Sequence, residues 1–318
     1  MRKRQLAIVF DNYSVRFVEA KVKGNSIKTV YNTFVINNSK LIQDGILDKN
    51  EWNNLFKEVV DKKIFKTKIV HVIIPTSLVI LRQQAMPDLP IEQLKKIIEN
   101  EIGNTIHFPF VEPVFDIVKI DSEEPFVNDQ GETLRQNIIV ATPGIIINNI
   151  LEVLSDYKFK LKSVDIPALS YYRYAKVFFP SLKQETKLFC YITNNGIDLH
   201  IIDNDILYFT RHIPNALQNY LNEEGVGFND KEFAVDLASE IERAKNYFNY
   251  TLNKRERQIT GVVLSSEREI NDTFREILRS RISLEVTVLG SLDKTLPRKV
   301  KQFKGYELGI GAFFREVN

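Results

Sequence analysis

The chain has 318 residues, 44% of them hydrophobic and 26% charged, with a net charge of only +2. This composition excludes a disordered chain, and the length leaves room for two domains or one large domain with insertions. The near-neutral charge argues against nonspecific nucleic-acid binding, and a single cysteine cannot form an internal disulfide. There is no 18-residue apolar run and no signal-like apolar stretch at the N-terminus, which predicts a cytoplasmic protein that would reach a membrane only through a partner. The basic Arg2-Lys3-Arg4 start reads as solvated surface, and Cys190, inside an apolar run, as a buried inert thiol.

In chain order, the first 36 residues alternate apolar and polar in short runs around a Lys23-Gly24-Asn25-Ser26 turn, predicting a three-strand meander. Its first connection, Asp11-Asn12-Tyr13-Ser14, has the place of a phosphate-binding turn but no glycine to let backbone N–H groups close on a phosphate. Trp52, Leu55, Phe56, Val59 and Val60 share one helix face, Val70 to Ile74 reads as a buried strand, and Leu78 to Gln84 as another. A helix carrying Ile91, Leu94, Ile97, Ile98 and Ile102 follows, then paired strands at 114–120 and 134–142 and a helix from Ile145 to Tyr157. The second half opens with a helix near Ala168–Val177 and then a second meander: Lys187 to Ile192, Ile197 to Ile202 and Ile206 to Thr210. Leu237, Ile241, Ala244, Phe248 and Leu252 mark a long amphipathic helix, and a βαβ-like end with a terminal helix at Leu308 to Arg315 completes the chain.

Two meander-led α/β halves with a connecting terminal helix predict the two-lobed architecture shared by actin, sugar kinases and heat-shock ATPases. The expected division is 1–67 for the start of the first lobe and 68–163 for an inserted α+β unit. Residues 164–186 then return to the first lobe, 187–290 form the second lobe with a helical part at 216–258, and 291–318 return to the first.

The block Arg82-Gln-Gln-Ala-Met-Pro-Asp-Leu-Pro-Ile-Glu-Gln-Leu-Lys-Lys-Ile-Ile-Glu-Asn-Glu101, with Ile106-His-Phe-Pro-Phe110 and Val114-Phe-Asp116, resembles the PilM family of actin-like proteins in type IV pilus and competence machines. Weaker collinear matches run from Asp44-Gly45 through Val164-Asp165, Glu240-Ile241-x-Arg243 and Gly261 to Ser265, ending at Leu308-Gly-Ile-Gly311. The resemblance implies an α/β actin-like (RNase H-like) fold with a small inserted α+β subdomain, as in PilM and its relative FtsA.

Against the family's phosphate loop, roughly Asp-Ile-Gly-Ser-Ser-Ser-Val-Lys, this chain is two residues shorter and lacks the glycine. The second loop, Thr193-Asn194-Asn195-Gly196, has lost its acid. Arg211-His212-Ile213-Pro214-Asn215-Ala216 lacks the glycine pair, and Leu264-Ser265-Ser266-Glu267 replaces Leu-Ser-Gly-Gly and adds a negative charge. With four such departures the resemblance implies a degenerate nucleotide site marked by Asp11, Ser14, Asn194 and Ser265, with ATP and magnesium disfavoured and no cofactor or catalytic residue. No Walker loop, metal-ligand spacing or nucleophile motif is present, and Gly309-Ile-Gly311 reads as a close-packing device.

The resemblance implies a scaffold that holds the cytoplasmic N-terminal peptide of a PilN-like membrane protein and links it to the pilus motor ATPase, with self-association as a further expectation. The peptide groove is expected near Ile73, Pro75, Leu78, Ile80 and Arg82, walled by Phe10 and Arg16. The competing expectations are an ATP-binding actin-like ATPase that assembles into rings or filaments and, more remotely, a sugar or acetate kinase of the same superfamily.

Overall fold

The computed structural model describes residues 3–24, 26–38, 41–43, 45–120, 123–182, 185–193, 196–217, 220, 228–252, 257–289 and 305–315. The chain begins with β1 (Lys3–Phe10), β2 (Ser14–Lys23) and β3 (Ser26–Asn37), the small hairpin of β4 (Ile42–Gln43) and β5 (Ile46–Leu47), and α1 (Lys49–Asp61). It continues through β6 (Ile69–Ile73), β7 (Ile80–Pro87), α2 (Ile91–Glu101), β8 (Pro113–Lys119), β9 (Phe126–Val127), β10 (Thr133–Pro143), α3 (Gly144–Asp156), β11 (Lys160–Asp165) and α4 (Pro167–Phe178). The second half holds β12 (Lys187–Thr193), β13 (Gly196–Asp203), β14 (Ile206–Pro214), α5 (Asp230–Tyr247), β15 (Gly261–Ser266), α6 (Asp272–Arg281), β16 (Glu285–Val288) and α7 (Glu307–Ala312).

Local chemistry accounts for the main boundaries. Asp48 starts α1 by accepting the backbone N–H groups of Asn50 and Glu51, and Trp52, Leu55, Phe56 and Val59 form its buried face. Asn229 and Asn271 cap α5 and α6 in the same way. Gly24, at φ 52°, takes the left-handed conformation that the β2–β3 turn needs. A single π-helical turn, Phe248–Leu252, extends α5.

The two lobes repeat one topology. The first sheet has the order β11-β6-β1-β2-β3 and the second the order β14-β13-β12-β15-β16, so each is an antiparallel meander with two parallel strands added on its far side. Strands β12 and β13 are buried along their whole length, as expected where both sheet faces are covered. The first core is built around Trp52, which packs against Phe10, Phe17 and Phe56; the second holds Leu188, Cys190, Leu237, Ile241 and Phe274. This is the two-lobed actin-like architecture.

The inserted unit is a third sheet, ordered β7-β10-β8, with β9 on β10 and α2 covering one face through Leu94 and Ile98. Its limits differ from the 68–163 expected. β6 pairs in parallel with β1 (Leu6 opposite Val70) and β11 pairs with β6, while α3 packs on α1, so residues 68–79 and 144–163 belong to the first lobe. A short apolar run such as Val70 to Ile74 reads the same in either sheet, because pairing partners leave no mark on the pattern. Likewise α5 packs into the second-lobe core through Phe233, Leu237 and Ile241 and is part of that lobe's layer. The insert also leans on the second lobe. Ile120 and Ile138 join the second core, and Arg257 bonds Asp203 at 2.8 Å, the Tyr208 hydroxyl at 2.6 Å and Glu123.

Candidate functional site

Because the lobes repeat, the β1–β2 turn, the end of β12 and the end of β15 converge on the cleft between them. In the first turn the Asp11 N–H donates to the Ser14 carbonyl at 2.9 Å, and the Asp11 carboxylate accepts the Asn12 N–H at 2.6 Å. Asn12 in turn accepts the Ser77 hydroxyl at 2.9 Å. These bonds tie the turn to itself and to Ser77. Ser14 is buried, and its hydroxyl has no hydrogen-bond partner among the described residues.

Arg16, on β2, is buried and reaches across the cleft. Its guanidinium donates to Glu267, just beyond β15, and to the Gly305 carbonyl at 3.3 Å, and lies 3.8 Å from Asp11. Glu267 also accepts the Tyr191 hydroxyl at 3.2 Å. Burial works against the Arg16 charge, but Tyr191, Glu267 and Asp11 outweigh it and hold the guanidinium above its ordinary pKa.

A second tie crosses the lobes nearby. The Thr76 hydroxyl donates to Asp198 at 2.8 Å, and Asp198 bonds His212 Nδ1 at 2.7 Å on its other oxygen. Burial opposes the imidazolium, yet the hydrogen bond to Asp198 raises the His212 pKa above its usual value. Between the two ties remains a cavity of about 30 Å³ lined by Asp11, Arg16, Thr76, Tyr191, Asp198 and His212. That volume suits a water or two, whereas small-ligand sites are on the order of 300–1,000 Å³.

Of the nucleotide-contact residues expected from the sequence, Asp11 and Ser14 bound the β1–β2 turn. Ser265 is buried on β15, opposite Tyr191, and Asn194 lies outside the described residues. Gly196 serves strand packing, since a Cβ there would sit 2.3 Å from the Ile213 carbonyl oxygen. Among the described residues no group of three or more His, Cys, Asp or Glu side chains could hold a metal.

The residues expected to form a peptide groove are dispersed. Phe10, Ile73 and Leu78 are core, with Phe10 edge-on to Trp52 at 4.8 Å. Arg16 is tied to Glu267, Pro75 faces the small cavity, and Ile80 is half-buried at the start of β7. The physical reason is that β1 and β6 are interior strands, so their apolar side chains serve the core on both faces. Arg82 alone of the seven lines an open groove, of about 620 Å³, between β7, β14 and α5.

Sequence reasoning did not single out the free edge of β8, which among the described residues pairs only with β10. Val114 and Val118 there are exposed, as are Val111 just before the strand and Ile145 at the start of α3. Val114 stands opposite Thr142, two residues from Gly144, so Val114 and Ile145 lie close where the insert joins the first lobe, while Val118, opposite Ile138, lies further along the edge. The signal was the Val114-Phe-Asp116-Ile-Val118 alternation, whose apolar residues fall on both faces of a strand that has a neighbour on only one side.

No protein-family model matches the sequence, and no curated protein matches it. Solved structures do. A chain of the PilM-PilN type IV pilus biogenesis complex superposes with a TM-score of 0.70 at 15% identity, covering 98% of each chain. The cytoplasmic domain of EpsL, an inner-membrane component of the type II secretion system of Vibrio cholerae, gives 0.52 at 11% identity over 99% of this chain and 97% of that one. The ethanolamine utilization protein EutJ of Carboxydothermus hydrogenoformans gives 0.51 at 9% identity over 98% and 89%. The chain therefore has the actin-like ATPase fold, with a small α+β unit inserted in its first lobe.

Proposed function

We propose that this chain is a non-catalytic scaffold of a type IV pilus or competence machine, holding the cytoplasmic N-terminal peptide of a PilN-like membrane protein and linking it to the motor ATPase. One observation carries the non-catalytic part: among the described residues the inter-lobe cleft is bridged by Arg16–Glu267 and Thr76–Asp198–His212, and the cavity beside these ties is about 30 Å³. The whole-length likeness to a chain of the PilM-PilN complex favours the partner. No described helix is long and apolar enough to cross a membrane, which agrees with attachment through that partner.

The free edge of β8 suits an extended apolar peptide. An unpaired edge strand offers a ladder of backbone donors and acceptors, and exposed Val111, Val114, Val118 and Ile145 offer apolar side-chain contacts. A labelled peptide from the cytoplasmic N-terminus of a PilN-like membrane protein is the test. Val114→Glu should weaken binding at least tenfold with no change in Tm, and Mg-ATP at millimolar concentration should leave Tm unmoved. Micromolar ATP binding would overturn the non-catalytic reading in favour of an actin-like ATPase; unchanged peptide binding by Val114→Glu would displace the site.

A further inference from the structure

The open groove at Arg82 lies on the opposite edge of the inserted sheet from β8, and it is built differently. Three consecutive residues of β7, 81–83, and four of β14, 208–211, line it. Neighbouring residues of a strand point to opposite faces, so a run of consecutive lining residues means that the strand's edge, not a face, borders the space. Among the described residues β7 pairs only with β10 and β14 only with β13, so two strand edges without a ladder partner approach each other and flank one groove. α5 contributes Arg243 and Tyr247 to the same groove.

Its charge is one-sided. Arg82, Arg211 and Arg243 line it, and Glu240 pairs with both Arg211, at 3.5 Å, and Arg243. Among the described residues no carboxylate pairs with Arg82. The Gln83 side-chain N–H group is sealed from solvent and has no acceptor among the described residues. Phe209 and Tyr247 pack with tilted rings, centroids 5.7 Å apart, and supply an apolar wall, with Tyr247 46% exposed.

We infer that this groove binds an extended acidic segment of a partner protein, added as a strand beside β7 or β14, with carboxylates on Arg82 and Arg211 and apolar side chains against Phe209 and Tyr247. Free strand edges on both sides select a polypeptide backbone over a compact anion, and the surplus guanidiniums select acidic side chains. The site is separate from the β8 edge and does not depend on what binds there.

An array of immobilised decapeptides, alternating Val, Leu or Tyr with Glu, Lys or Ser, tests this with the full chain. The expected result is enrichment of the Glu-alternating peptides, binding that weakens as salt rises, and slowed amide exchange in β7 and β14. Arg82→Glu and the milder Arg82→Ala should each lower that affinity at least tenfold with Tm retained, and Tyr247→Ala, on an exposed side chain, should lower it independently. Val114→Glu should leave it intact. Preference for Lys peptides, no binding above background, binding unchanged in the folded Arg82 variants, or full competition by inorganic triphosphate would each overturn the proposal.

Discussion

Arg16 and Glu267 form a buried ion pair between residues 251 positions apart, joining β2 of the first lobe to the end of β15 in the second. Removing either partner leaves the other charge desolvated and short of its nearest counter-ion. Arg16→Ala or Glu267→Ala should therefore cost about 3–5 kcal/mol of stability, read by urea unfolding. The apolar double variant Arg16→Met/Glu267→Leu should recover most of it, since a buried pair is worth little against well-packed hydrocarbon. Losses under about 1 kcal/mol for both single variants would show that the pair does not hold the cleft.

Glu307, at the start of α7, has one carboxylate oxygen sealed from solvent and without a partner among the described residues. Burial, with Glu267 nearby, pushes its pKa from 4.5 up to about 7. Between those values the unfolded chain has released a proton that the folded chain keeps, so this group makes stability fall as pH rises from 4.5 to about 7 and level off above. Glu307→Gln should remove that slope and stabilise the protein at pH 8 by about 1–3 kcal/mol. A Tm difference between variant and parent that is the same at pH 4.5 and pH 8 would refute it.

His71 has the opposite sign. It is buried between Gln5, at 2.6 Å, and Ser163, at 2.8 Å, and burial, with Lys162, Arg315 and Arg173 near, lowers its pKa to about 3. The unfolded chain takes up a proton near 6.5 that the folded chain refuses, so its contribution is present above pH 6.5 and is lost as pH falls toward 3. His71→Gln should cost stability at pH 7 and less at pH 5. Equal losses at the two pH values would mean that the ring is a packing element only.

Gly311 faces α4 so closely that an added Cβ would lie 1.8 Å from the Ser170 carbonyl oxygen; at Gly309 it would lie 2.4 Å from a Val18 methyl group. Alanine favours a helix over glycine by about 1 kcal/mol, yet here overpacking against backbone should win. Gly311→Ala is expected to destabilise by about 1–3 kcal/mol. Gly309→Ala should cost less, because Val18 can change rotamer. A stabilised Gly311→Ala protein would contradict the close α4–α7 contact.

Cys190 is fully buried in the second core, and burial raises its thiol well above the ordinary pKa. A thiol reagent should react with the native protein only as fast as the second lobe opens, so labelling and urea unfolding should report one midpoint. Rapid labelling of folded protein would place the thiol elsewhere.

Much of the fold was legible because periodicity survives without knowledge of partners. Both meanders, the apolar faces of α1 and α2, and the glycines of α7 are local patterns. What escaped depended on distance. Arg16 read as a groove wall and Glu267 as a charge hostile to phosphate, and only the fold brings them together to neutralise each other. Phe10, Ile73 and Leu78 look alike as core or as pocket, because burial against protein and burial against a ligand select the same side chains. Edge strands escaped for a similar reason, since alternation marks a strand but not whether its second side is paired.

The insert leaves the first sheet after β6 and returns through α3 to β11, the strand directly beside β6. Its entry and exit are therefore neighbours, and in a crossover of that kind doubling the intervening chain costs only about 0.6 kcal/mol in closure entropy. Both free edges, β7 and β8, belong to this excursion, and the frame that carries them is the sheet of β1–β3 and β6. Residues 80–143 can thus lengthen, shorten or change sequence over generations while the frame keeps its register. The topology separates what must be inherited unchanged from what is free to diverge with each new interlocutor.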